Sequence, residues 1–205
     1  MIRLLGKFPK EAFYVAVSGG IDSMFAYDFM NNGRHICLPL FFNHGTETSE
    51  KAMKFLNAKF QSGWHFGNIH GSKPKNKSWE EFWRDERYKF FHGIKQQIVT
   101  AHHLSDQIET WVWSSMHGNP KLIPYNNKNV IRPFLMTPKD EIKNWMSKKK
   151  VDWIEDESNE DVKYQRNRIR QKLMPEILKI NPGIGTVIAK KVLKQYNDSH
   201  TGVTK

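Results

Sequence analysis

Two short segments carry residue types suited to handling a polyphosphate. The first is Ser18-Gly19-Gly20-Ile21-Asp22-Ser23. It follows an apolar run, residues 13–17, and precedes a helix-like run, residues 24–30. A strand, a glycine turn and a helix start, in that order, present unpaired backbone N–H groups to a ligand, and the two glycines let it approach closely. The helix macrodipole adds partial positive charge at the same place, which suits phosphate. The segment is neither the Gly-x-x-x-x-Gly-Lys phosphate loop nor the Gly-x-Gly-x-x-Gly dinucleotide turn. Taken alone, an ordinary strand-to-helix turn capped by Ser or Asp explains it almost as well.

The second segment is Ala101-His102-His103-Leu104-Ser105-Asp106-Gln107-Ile108-Glu109-Thr110. It begins at the end of a predicted strand. Ligands of open α/β sheets bind outside the carboxyl ends of strands, so both segments should face one crevice. Leu104, Ile108, Trp111, Val112 and Ser115 form one helical stripe, expected to pack on the sheet. Asp106, Glu109, Thr110 and Trp113 form another face. Asp106 with Glu109 three residues on also fits a capping-box-like helix start. The adjacent histidines fit either a strand end or a metal pair, and the lack of a third ligand at a recognisable spacing weighs against metal.

The elements that must position these segments follow from periodicity. Apolar runs at 13–17, 36–42, 65–69, 98–101 and, more weakly, 130–131 alternate with helix-period segments near 23–31, 49–61, 78–92 and 106–117. Such alternation predicts an α/β fold, a doubly wound parallel sheet covered on both faces. Ala52, Phe55, Leu56 and Phe60 share one side of their helix. Trp79, Phe82, Trp83 and Phe90 recur at helical spacing and read as core rather than as ligand-stacking groups. Residues 71–77 form a breaker-rich loop with three lysines, read as a solvated loop in preference to a phosphate contact. After Ile131 the character changes. Pro133 and Pro138 bracket a connection, and 139–150 reads as a basic amphipathic helix. Residues 159–180 read as a polar loop entering a second helix. Ile184, Val187, Ile188, Val192 and Leu193 mark a short last helix, with fraying expected from Asp198. The expected division is 1–135, an α/β domain carrying both segments, and 136–205, a short helical C-terminal extension.

Bulk properties narrow the partners. The 205 residues include 32 basic and 21 acidic side chains, a formal charge of +11. That excess points to a polyanion, with nucleic acid the natural candidate. A single cysteine, Cys37, excludes an internal disulfide framework and any two-cysteine persulfide or iron–sulfur chemistry. It lies in an apolar run and is expected to be buried and inert. No long apolar stretch suggests a signal peptide or a membrane span, so a cytoplasmic location is expected.

The 18–23 segment resembles the Ser-Gly-Gly-x-Asp-Ser loop of the PP-loop ATP pyrophosphatases, enzymes with a Rossmann-like sheet that cleave ATP between its α- and β-phosphates. The 102–110 segment is similar to the His-His-x-x-Asp-Gln-x-Glu-Thr signature of one branch, the tRNA(Ile)-lysidine synthetases. Asn43-His44-Gly45 resembles that family's His-Gly turn. Arg84-Asp85-Glu86-Arg87-Tyr88 resembles its Arg-x-x-Arg-Tyr helix. Ile131-Arg132-Pro133-Phe134-Leu135 resembles its Arg-Pro-Leu-Leu segment. Trp153-Ile154-Glu155-Asp156-Glu157-Ser158-Asn159 and Arg166-Asn167-Arg168-Ile169-Arg170 resemble its Glu-Asp-x-Ser-Asn and Arg-Asn-x-x-Arg signatures. The pieces are collinear over about residues 14–175.

The resemblance implies conversion of the wobble cytidine of a CAU-anticodon isoleucine tRNA to lysidine, with ATP and free lysine as co-substrates. It assigns ATP to Ser18, Gly19, Gly20, Ile21, Asp22 and Ser23, and magnesium to Asp22 and Asp106. Charge on the α-phosphate falls to Arg166, Arg170 and His103. Substrate contacts fall to His44, Arg84, Arg87, Gln107, Glu109, Arg132 and Asn167. Glu109 is the expected partner of the lysine ammonium, with Glu155 and Asp156 as rivals. On spacing alone Arg166 and Arg170, four apart, read as a solvated basic face; with the resemblance they read as phosphate ligands. Two departures stand out. Ser105 occupies a position where an acid is usual, and little follows the Arg-Asn signature, so the tRNA is expected to be held by the catalytic domain, residues 139–196 and a possible second copy in a homodimer. The competing readings are a PP-loop tRNA thiolase, disfavoured by the single cysteine, a small-metabolite amidotransferase, and a non-catalytic tRNA- or nucleotide-binding module.

Overall fold

A computed structural model describes residues 1–155 and 165–200. Four strand–helix units come first. They are β1 (Phe13–Ala16) with α1 (Ile21–Asn32), β2 (Cys37–Asn43) with α2 (Glu47–Phe60), β3 (His65–Asn68) with α3 (Trp79–His92), and β4 (Ile98–Val99) with α4 (Leu104–Met116). A hairpin of β5 (Asn126–Asn127) and β6 (Val130–Ile131) precedes α5 (Lys139–Lys149). Then α6 (Gln165–Arg168), a π-helical turn Ile169–Leu173 and α7 (Met174–Ile180) run on without a break, followed by α8 (Ile184–His200).

The sheet has the order β3-β2-β1-β4-β6-β5 and is parallel except where β5 meets β6. This is the expected α/β, doubly wound arrangement. β1 is the pivot: Tyr14 pairs with Leu38 of β2 on one side and Ile98 of β4 on the other. The chain winds outward in both directions from that point, so a crevice opens beyond the carboxyl ends of β1 and β4.

Alternation along the strands feeds two apolar layers. Phe13 and Val15 of β1 and Phe41 of β2 pack with α1, α2 and α5 through Met24, Phe25, Leu56, Ile142 and Met146. Leu40 and Phe42 face the other way, onto Tyr88 and Phe91 of α3. Residues after 135 are thus built into the same body as the sheet. At Gly67 a Cβ would come within 2.5 Å of the Phe90 ring, so glycine is what lets α3 seat there. Cys37 is buried, as expected, and burial pushes its thiol up to about 11.

Several expectations need correction. The apolar stripe of α4 lies mainly against helices, not the sheet: Leu104, Ile108 and Val112 share a core with Leu135, Ile169, Ile184, Ile188 and Val192. Periodicity reports that a helix face is covered, not what covers it. Of the α3 aromatics, Phe82 is buried but Trp79 is 54 % exposed. Two of the three loop lysines are tied down: Lys73 donates to the carbonyls of Pro74 and Lys77 and lies over Trp79, and Lys77 pairs with Asp85. α8 continues to His200, past the expected fraying point; its exposed Val187 and Leu193 flank the buried stripe. Among the described residues no helix is long and apolar enough to cross a membrane.

Because Ile188 is fully buried between α8 and α4, Ile188→Ala should cost about 2–4 kcal/mol of stability in urea unfolding. A loss below about 1 kcal/mol would show that α8 is only loosely seated.

Candidate active site

The site grows from the two helix starts at the crevice, and they are built differently. α2 and α3 are capped by Thr46 and Ser78 side chains, but α1 begins at Gly20 with no side-chain cap. Instead Ser23 folds back: its hydroxyl donates to the Gly20 carbonyl at 2.9 Å and accepts from the Ser18 N–H at 2.9 Å. The turn is thereby held while the first-turn amides of α1 keep the donor capacity that helix geometry leaves them. Gly19 takes φ +81, and a Cβ there would lie 2.9 Å from the Ile154 side chain; the Ile154 N–H donates to the Gly19 carbonyl at 2.9 Å. The segment after α5 therefore crosses directly over the turn.

α4 is capped from within. His103, 2 % exposed, is its N-cap, three residues ahead of the expected start at Asp106. Its Nδ1 accepts from the Ser105 N–H at 3.2 Å, and Asp106 Oδ2 accepts from the His103 N–H at 2.9 Å. This is a capping box with Asp106 as the third helical residue. With Nδ1 accepting, the neutral ring carries its proton on Nε2. That nitrogen lies 3.4 Å from Asp22 Oδ1 and 3.6 Å from Asp106 Oδ2. One imidazole N–H thus stands between the two carboxylates.

Cations complete the cluster. Lys139, at the start of α5, pairs with Asp22. Arg166 reaches Asp106 Oδ1 at 2.5 Å and Glu109 at 3.4 Å. Arg170 grips Glu109 with two bonds, 2.7 and 3.0 Å. Burial alone would raise both aspartates; His103 and Lys139 outweigh it at Asp22, and His103 and Arg166 do so at Asp106, holding both carboxyls below the ordinary range.

The sequence matches the family described as PP-loop domain over residues 1–177. The chain belongs to the PP-loop family. Among curated relatives it is 32% identical to the tRNA(Ile)-lysidine synthase of Staphylococcus aureus, over 90% of this chain and 48% of that protein. It is 30% identical to that of Francisella philomiragia, over 86% and 48%, and 28% identical to that of Exiguobacterium sibiricum, over 92% and 49%. The chain spans about half the length of the curated relatives it matches.

In this PP-loop chain Asp22, His103, Asp106, Glu109, Arg166 and Arg170 come together. A second group gathers beside them. Arg84 and Arg87 lie 4.8 and 5.9 Å from the Tyr88 ring, and neither pairs with a carboxylate among the described residues. His44 stands near, lowered to about 4 first by burial and then by Arg87. His102, bonded to Thr100, is lowered to about 3 by burial, so it stays neutral at neutral pH.

Two residues expected to touch substrate are struts instead. Gln107 is fully buried; its amide donates to the Ile123 carbonyl and accepts from the Ile123 N–H, at 2.7 and 2.8 Å. Arg132, 1 % exposed, donates to the Pro124 carbonyl and to the Tyr88 hydroxyl, both at 2.7 Å. Gln107 thereby ties α4 to the segment at Ile123, and Arg132 ties the segment after β6 to Pro124 and α3. Asn167, within α6, is also buried. Glu155 is exposed, and Asp156 lies outside the described residues. Lys139 was missed by sequence reasoning; its only local signal is a place in the first turn of a basic helix, next to Pro138.

The donor chemistry fits magnesium. Asp22 is an accessible hard ligand, and one or two carboxylates with phosphate oxygens is the usual set for this ion. Asp106 could join only if Arg166 moved off Oδ1.

Both aspartates titrate lower in the folded chain than in the unfolded one. Their contribution to stability is complete above about pH 4 and is lost as the pH falls through the folded values. Between pH 5 and pH 3 the wild type should therefore lose more stability, read as the urea midpoint, than Asp106→Asn. Equal losses would place the acid-sensitive contacts elsewhere.

Proposed function

We propose that this chain carries out ATP-dependent conversion of the wobble cytidine of CAU-anticodon tRNA(Ile) to lysidine. The observation that supports this best is the join at the crevice. The uncapped start of α1 suits a polyphosphate, and Asp22 on that helix is linked through His103 to the Asp106–Glu109 face of α4. A donor for phosphate and an acidic face for a cation thus meet at one point.

In this reading Gly19, Gly20, Ile21 and the Ser18–Ser23 hydroxyl pair cradle the phosphates of ATP. Arg84 and Arg87 supply cations that the described residues leave without carboxylate partners. The C2 oxygen of cytosine attacks the α-phosphorus, and pyrophosphate leaves. The ε-amine of lysine, deprotonated, then attacks C2; the C2–O bond breaks and AMP departs. Glu109 receives the lysine ammonium in place of Arg170, which frees Arg166 and Arg170 to face the α-phosphate. His103 keeps its Nε2 proton directed at Asp22 and Asp106 and so fixes both. Magnesium, when held by Asp22 and Asp106, neutralises phosphate charge. The +11 charge suits an RNA substrate, and the chain is read as working in the cytoplasm, alone or as a homodimer.

The test is incorporation of radiolabelled lysine into CAU-anticodon tRNA(Ile) with ATP and magnesium. Wild type should label the RNA, and replacing the wobble cytidine by uridine should abolish labelling. Asp22→Asn should lower the rate about 10²-fold or more while the chain stays folded. Pyrophosphate release at the wild-type rate by Asp22→Asn would refute the role given to that carboxylate. RNA binding without labelling would favour a non-catalytic module.

A further inference from the structure

The acidic face of α4 does not end at Glu109. One turn on, at i+4, stands Trp113, and beyond it Met116 and His117. These three form one wall of an open groove of about 460 Å³, whose other wall is Arg168, Lys172 and Leu173. The volume falls within the range of clefts that hold small ligands. Nothing apolar covers it among the described residues: Trp113 is 42 % and Met116 58 % exposed.

The wall is organised. His117 lies against Trp113 with ring centroids 4.5 Å apart, and its Nδ1 donates to the Trp113 carbonyl at 2.8 Å. The Trp113 Nε1–H donates to Gln165 Oε1 at 3.4 Å. The indole is thereby braced from two sides while a face stays open. The opposite wall is cationic, and the described lining contains no acid.

We propose that this groove takes a nucleobase of a single-stranded RNA loop, the one next to the base that reacts at Asp106 and Glu109. This rests on the lysidine reading above. A braced aromatic with cations beside it is what stacks an unpaired base and contacts its phosphates. The groove is also continuous with the reaction site on both walls. α4 carries Asp106 and Glu109 and then Trp113; the helix opposite carries Arg166 and then Arg168 and Lys172. Four residues of helix rise about 6 Å, so a base held here is a near neighbour of the reacting one. The +11 charge of the chain gives an anionic strand the long-range attraction that an apolar peptide would lack.

The experiment titrates the full chain with a CAU-anticodon stem-loop by fluorescence anisotropy, using RNAs with each loop base in turn replaced by an abasic residue. One abasic position beside the wobble cytidine should weaken wild-type binding about 5- to 100-fold. Trp113→Ala should lose a similar amount with the intact loop and lose nothing further with that abasic RNA. Trp113→Phe should retain most of the affinity. Arg168→Gln and Lys172→Gln should weaken every loop alike and reduce the salt dependence. Thermal melting establishes that the variants fold. If wild type binds and Trp113→Ala binds every RNA as well, the groove is not a base site and the lysidine reading stands. The same holds if Trp113→Ala leaves RNA binding intact but abolishes self-association in sedimentation, which would make the groove an interface between copies. If wild type binds no stem-loop at all, the lysidine reading fails and this inference with it.

Discussion

The imidazole of His103 joins the two halves of the site, and much of the geometry depends on which of its nitrogens holds the proton. Nδ1 is committed to capping α4, so the Nε2 proton is directed at Asp22 and Asp106. That direction is useful only because β1 and β4 are neighbours, paired through Tyr14–Ile98 and Val15–Val99. If β4 lay at the edge of the sheet, His103 could still cap α4 but could not reach a residue of α1. The fold's reversal at β1 and the tautomer of one histidine are therefore parts of a single constraint.

The same constraint makes the two helix starts unequal. At the start of α4 the N–H groups of His103, Leu104 and Ser105 are answered by Asp106, the Thr137 carbonyl and the His103 ring, so it is a poor anion site. α1 has no side-chain cap, and Ser23 stabilises its turn by bonding back to Ser18 and Gly20 rather than by covering the amides. Unanswered amides thus lie at the start of α1, and the carboxylates Asp106 and Glu109 lie on the adjoining face of α4. The reaction proposed above, which joins a polyphosphate and a cationic amine, would use that difference, and a symmetric pair of free helix starts would not supply it.

What could be read from the sequence follows from range. The strand–helix alternation and both site segments are local patterns, since a glycine turn or a helix start is set by residues within a few positions of each other. The pairings that close the site are not local. Lys139 is 117 residues from Asp22, and Arg166 and Arg170 are 60 and 61 from their main carboxylate partners. No periodicity encodes such pairs. Gln107 and Arg132 mislead for a related reason. Polar side chains inside a motif resemble ligand contacts, yet burial gives them to Ile123, Pro124 and Tyr88. Of the β5–β6 hairpin only β6 shows, as the weak apolar run at 130–131; β5 carries no signal because Asn126 and Asn127 show no apolar alternation, and the tight turn between the two strands holds Lys128 at φ 54.

Around Asp22, Asp106 and Glu109 the carboxylates are matched by Lys139, Arg166 and Arg170, and that governs how this cluster can open. Arg166 and Arg170 are 54 % and 40 % exposed on their side chains, so water screens them and each loses little on leaving. Asp106 and Glu109 are 10 % and 5 % exposed and would be left as buried charges, which is the costly half of breaking such a pair. A cation arriving alone displaces an arginine with no new anion to receive it. An anion that draws Arg166 or Arg170 away by itself strands a carboxylate. A ligand set bearing both signs exchanges partners with no charge left unanswered. Joint occupation of this cluster by an anion and a cation thus costs less than displacement of either arginine alone, because of the difference in burial between its acids and its arginines rather than their number.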